Sequence, residues 1–267
     1  MWDTPHLYGR YIGISIRSQM QYRASFVMQT IGHFLVTGIE FLAVWALFAR
    51  FGQLKGWSLP EVALLYGMAQ VSFAIADAVS RGYDLFGNLV KSGDFDRLLL
   101  RPRTTQFQVA AQEITLKRIG RLTQGLAALA WAAMALRLPA TPERVALIGA
   151  AIVGGACLFH GLVILQATAA FWTVESLEIF NILTYGGATA AEYPLTIYHD
   201  WMRRLFTWIV PIACVNYLPA YAILGRPRPP EMPAALPWLS PLMGLAFLLA
   251  ARQAWGFGVR HYRSTGS

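Results

Sequence analysis

The residues of this chain that could do chemistry are a few polar side chains set inside long apolar stretches. His33 and Glu40 are seven residues apart, two helical turns, and so share one face of a helix. Gln70 and Asp77 repeat that spacing in the next apolar stretch. His160 and Gln166 lie in another, and Glu175 with Glu178 open the one after it. At membrane depth such groups are costly; they gate or line a pathway, relay protons, or bond to neighbouring helices. Asp77, Glu175 and Glu178 fall near stretch ends, where water or a helix terminus accounts for them. Glu40 lies near the middle of its stretch. It remains, with His33 and Gln70, a candidate for a pathway or gate.

A second polar feature is the block K-S-G-D-F-D-R-L-L-L-R-P at 91–102, in which five of twelve residues are ionisable. Asp94, after Gly93, reads as a helix N-cap, and Asp96 adds negative charge at the positive end of the helix dipole. Arg101 suits the other end, and Pro102 stops the helix. The product is a helix of about two turns, roughly 10 Å long. Phe95, Leu98 and Leu99 form one apolar stripe, with Asp96, Arg97 and Arg101 off it. So short a helix is not stable alone. The membrane surface, the protein's own spans or a partner must hold it.

Motifs for enzymatic chemistry are missing. The sequence contains no G-x-x-x-x-G-K-[ST] phosphate cradle, no H-E-x-x-H, no G-x-S-x-G and no paired-cysteine metal pattern. Cys157 and Cys214 fall in apolar stretches and read as buried, inert thiols. No cofactor or metal is expected on this chain.

The elements that must position these residues are membrane helices. Of the 267 residues 56% are hydrophobic and 13% charged, against about 25% charged in soluble domains. The fold class is therefore an all-α integral membrane protein, one domain over 1–267. The net charge of +8 does not indicate nucleic acid, because the basic residues flank apolar spans. Seven stretches are long enough to consider: Phe26–Phe51, Glu61–Ser80, Leu122–Leu138, Val145–Trp172, Val174–Tyr193, Leu205–Leu224 and Leu236–Phe257. The first begins too late and runs too long for a cleavable signal, so it is expected to act as an uncleaved span.

Lys and Arg number three in the N-terminal tail, eight in the 81–121 connection and three at the C-terminus, fourteen against four in the loops read as outward. Positive charge stays inside, which puts both termini and 81–121 in the cytoplasm. Both ends inside requires an even number of crossings, so six are expected and one stretch fails to cross. Leu205–Leu224, broken by Pro211 and Pro219, is the candidate for a re-entrant segment within a region 194–235. The alternative lays Val174–Tyr193 in the membrane plane and lets 205–224 cross. Residues 1–25 read as an amphipathic helix in the headgroup layer, capped by Thr4, opened by Pro5, with Leu7, Tyr11 and Ile14 on its apolar face.

V-K-S-G-D-F-D-R-L-L-L-R-P, residues 90–102, resembles the loop between the second and third spans of type-2 ABC transporter permeases. The basic N-terminal helix, the six expected crossings and the proline-interrupted stretch before the last span extend the likeness along nearly the whole chain. Arg203 and Arg204 depart from it, since they fall where the family has an external loop. The resemblance implies a multi-pass permease of the bacterial cytoplasmic (inner) membrane, exporting a hydrophobic or amphipathic substrate. It implies two copies of a separate ABC ATPase, which bind the ATP and Mg, and a second permease, identical or homologous. It also implies that Gly93, Asp94, Phe95, Asp96, Leu98, Leu99, Arg101 and Pro102 form a coupling helix against that ATPase. An ion- or proton-coupled secondary transporter using Glu40, His33 and His160 would require internal repeats. A membrane-embedded lipid-modifying enzyme would require a catalytic cluster at a boundary. The sequence supplies neither.

Overall fold

Helix starts follow the chain's own punctuation. In the computed structural model, which describes residues 4–173, 180–229 and 232–264 with side chains from His6 onward, α1 (Thr4–Met20) and α2 (Arg23–Phe51) are parted only by Gln21 and Tyr22. α3 (Leu59–Asp84) begins where the Ser58 backbone N–H and hydroxyl both donate to Glu61, at 2.8 and 2.9 Å. The short helices α4 (Phe86–Lys91), α5 (Asp94–Leu99) and α6 (Thr105–Ala110) lead through a 3-10 turn, Leu116–Arg118, into α7 (Ile119–Ala135). Thr141 caps α8 (Pro142–Ala169), and Pro142 opens it, where a missing N–H is harmless. A π turn (Ile182–Gly186) precedes α9 (Gly187–Ala191). α10 (Asp200–Arg204), α11 (Tyr217–Leu224), α12 (Leu236–Leu239) and α13 (Leu242–His261) follow. The described residues contain no β-strand.

α3 is the central helix, nearly all buried, with α7 and α8 packed along it. α13 packs on α8, and α2 on α7. At the α8–α13 crossing, a methyl group on Gly244 would lie 1.9 Å from the Gly154 carbonyl oxygen. The two backbones therefore touch, which only small residues permit.

Among the described residues, four helical segments are long and apolar enough to cross a membrane: Arg23–Phe51, Leu59–Lys91, Pro142–Ala169 and Leu242–His261. Asp200–Ile209 with Ile212–Leu224, bent by 71°, makes a fifth if the pair is counted as one span. The shortfall from six has two sources. α7 has 17 residues, about 26 Å of helix against a hydrocarbon core of about 30 Å. Part of the stretch Val174–Tyr193, including Glu175 and Glu178, lies outside the described residues.

The bend falls at Pro211, as expected from its missing N–H, after a π turn Leu205–Ile209. Pro219 does not break the helix. It is the third residue of α11, in the first turn, where N–H groups have no helical partner in any case. The irregular backbone at Ile212–Val215 is buried in protein, the condition under which a membrane tolerates it. Asn216 secures it by donating to the carbonyls of Leu65 and Ala191. Leu65 is six residues into α3, about 9 Å from its start, so the break sits at that depth. α11 then returns to the start of α3. There Arg226 pairs with Glu61 at 3.2 Å, donates to the Gly56 carbonyl at 2.8 Å and covers Trp57 at 4.1 Å.

α1 is tied down by its polar face. Ser15 and Gln19 donate to the Ile114 carbonyl at 2.9 and 2.6 Å, and the Leu116 N–H donates back to Gln19 at 2.9 Å. Tyr8 and Tyr11 meet Phe107, while Ile14 and Ile16 remain exposed. Both cysteines are free, Cys214 buried and Cys157 partly so.

Candidate functional site

The charged block folds into α5 with one change from the expected cap. Gly93 takes the N-cap with φ of 74°, a left-handed conformation suited to glycine, and Asp94 is the first helical residue. The Asp94 carboxylate accepts from the Ser92 hydroxyl at 2.8 Å and from Arg97 at 3.2 Å. These donors, Ser92 foremost, hold its carboxyl below the ordinary carboxylate range. Their contribution is complete above that range and lost as pH falls through the lowered value. Asp96 accepts from Ser264 at 2.6 Å.

The apolar stripe divides. Phe95 is fully buried, with ring centroids 5.1 Å from Phe86, 5.4 Å from Phe171 and 4.9 Å from Tyr262. Leu98 is buried in the same cluster, which also takes in Tyr83 at the end of α3 and Trp255 of α13. Of the three holders the sequence left open, the protein's own spans hold α5 through these two residues. Leu99 points the other way at 43% exposure, and Leu100, which no periodicity singled out, is 88% exposed. Arg101 and Pro102 are exposed and face α1 across a cavity of about 210 Å3 that Leu7 and Tyr11 also line. The loop beyond is pinned where Gln108 donates to the Leu98 and Arg103 carbonyls, both at 2.9 Å.

Within the spans, Glu40 and Gln70 come together and His33 does not join them. Glu40, Gln70, Arg121, Thr189 and Glu192 line a cavity of about 200 Å3 between α2, α3, α7 and α9. Gln70 donates to Glu192 at 3.0 Å. His33 lies instead in the field of Lys117, Arg118 and Arg121. His160 is bonded to Ser80 at 2.7 Å, Gln166 donates to Asn181 at 2.8 Å, and Asp77 pairs with Arg118 at 2.7 Å. His160 and Gln166 are hydrogen-bonded by neighbouring segments, and Asp77 is ion-paired. Glu192 was not legible, because before Pro194 it reads as an ordinary helix end. An acid at a helix C-terminus opposes the dipole, and that was the available signal. Gln70→Leu, which leaves buried Glu192 without its donor, should cost about 1–3 kcal/mol, read as a lowered unfolding midpoint in detergent.

Apolar helices crossing around a buried polar cavity, with a clamped charged helix at one end, define a multi-pass membrane protein. A family model described as ABC-2 family transporter protein matches residues 34–266. The chain belongs to the ABC-2 transporter family and is the membrane component of an ABC transporter. Such permeases are transport components, not themselves catalytic; they generally work with an ABC ATPase and often dimerise. No curated protein and no solved structure is significantly similar to the chain.

Proposed function

We propose that the chain is the permease subunit of an exporter in the bacterial cytoplasmic (inner) membrane, passing a hydrophobic or amphipathic substrate and driven by two copies of a separate ABC ATPase. ATP and Mg are bound by that partner. In this reading the chain crosses six times, through α2, α3, α7, α8, the apolar stretch Val174–Tyr193 and α13, with Leu205–Leu224 re-entrant and both termini cytoplasmic. The return of α11 to the start of α3 and the charge count support this topology.

One observation carries the coupling role: α5 is bound to the spans on one side and bare on the other. Phe95 and Leu98 seat it among residues of α3, α8 and α13, while Leu99, Leu100 and Arg97 face outward. A push on the bare side is passed to three spans at once, because a packed core moves as a unit. A second permease is supported by α2. Val36, Ile39 and Leu42 are exposed there, and Glu40 is exposed among them; a carboxylate at that depth calls for a protein neighbour or a water-filled path.

The test is co-expression with a cognate ABC ATPase, sought first among the neighbouring genes. The tagged chain should co-purify that ATPase, and hydrolysis by the complex should differ from hydrolysis by the free ATPase. No co-purification from membranes holding both proteins would overturn the reading.

A further inference from the structure

An open cleft of about 380 Å3 lies where α1 turns into α2, facing the segment that follows α6. Its lining is mixed: Tyr22 and Phe26 give it an apolar side, and the polar groups are Ser18, Ser25 and Gln29 from the two helices with Glu113, Thr115 and Lys117 opposite. The volume is in the range of small-molecule pockets, about 300–1,000 Å3. Several groups in it are held ready for a ligand. Thr115 is 3% exposed, yet its hydroxyl has no hydrogen-bond partner, an uncommon state for a buried polar atom. Lys117 is half-buried and forms no ion pair among the described residues. Glu113 has one charged neighbour, Arg81, at a long 3.9 Å.

The position narrows the ligand. The turn between an amphipathic helix and a span lies at headgroup depth, and Tyr22, beside the cleft and largely exposed, is an interfacial residue type. The cleft offers one cation, one carboxylate and neutral hydroxyl and amide donors. A phosphodiester takes charge-assisted hydrogen bonds from Lys117 and the hydroxyls. A primary ammonium donates to Glu113, and a trimethylated one has no N–H to donate. A headgroup with anionic charge alone would meet Glu113 with repulsion.

We propose that this cleft binds the headgroup of an aminophospholipid, its phosphate on Lys117 and Thr115 and its ammonium on Glu113. The bound lipid braces α1 and the start of α2 against 113–117, reinforcing the ties that Ser15 and Gln19 already make. The inference is independent of any ATPase, and so is its test.

The delipidated full chain would be titrated in detergent with dihexanoyl phosphatidylethanolamine, phosphatidylcholine or phosphatidylglycerol, with bound lipid read by native mass spectrometry. Phosphoethanolamine and inorganic phosphate would serve as soluble competitors. Phosphatidylethanolamine should bind roughly tenfold tighter than the other two, the value of about one charge-assisted hydrogen bond. Glu113→Gln should remove its advantage over phosphatidylcholine. Lys117→Gln should weaken all three lipids roughly tenfold. Thr115→Val, which changes no charge, should weaken them about threefold and guards against misfolding of the charge variants. Equal binding of the three lipids by the unmodified chain would overturn the proposal. So would a phosphatidylethanolamine preference that survives both charge substitutions, or inorganic phosphate competing as well as phosphoethanolamine.

Discussion

Leu99→Asp with Leu100→Asp should abolish binding of the partner ATPase while the chain stays folded. Leu99 and Leu100, at the outward side of the end of α5, are exposed, so the substitution removes apolar surface that a docked partner would cover. Burying one leucine contributes about 1.5–3 kcal/mol. Two that are fully covered would contribute about 3–6 kcal/mol, so their loss should weaken the complex more than about a hundredfold. The control is Leu98→Asp, which puts a carboxylate into the cluster of Phe86, Phe95 and Trp255 and should disrupt the chain itself. Charge reversal at Asp94, Asp96 or Arg101 should have smaller effects, because water screens exposed charges. Co-purification with the ATPase, alongside the unfolding midpoint of the permease alone, separates loss of partner from loss of fold. Full retention of the ATPase by the Leu99, Leu100 variant would rule out α5 as the contact.

Asp77→Leu alone should destabilise the protein by about 3–5 kcal/mol, since it strands Arg118 beside an apolar core. The pair is 2.7 Å apart and Asp77 is buried. Arg118→Met should cost a similar amount by stranding the acid. The double variant should regain most of the loss, because two apolar side chains in place of a buried pair are often neutral. Unfolding midpoints of the four proteins in one detergent form a double-mutant cycle that measures the coupling directly. Additive single effects would show that the ion pair is not what holds the start of α7 to α3.

Much of this fold was legible because hydropathy and charge act locally. The break at Pro211 and the helix inside 91–102 each follow from a few adjacent residues, while the hydropathy stretches begin two residues late for α3 and three for α8. The choice among Leu98, Leu99 and Leu100 does not. All three are equally apolar, and only the position of Phe86, Phe171 and Tyr262, contributed by distant segments, makes one of them core and leaves two outside. The gate candidates divide for the same reason. The shared face of His33 and Glu40 is a property of one helix, but α7 and α9 bring Arg121 and Glu192 to Glu40 and leave His33 with the basic residues.

The sequence by itself determined that this protein lives in a membrane, which of its segments between spans carry the positive charge, and where its broken stretch bends. These are properties of composition and of neighbours in the chain, where solvent and backbone geometry leave little choice. Only the tertiary structure decided which polar groups meet and which apolar ones stay bare. Those outcomes depend on helices more than a hundred residues apart settling against α3, as Gln70 and Glu192 do, and no local pattern encodes that contact.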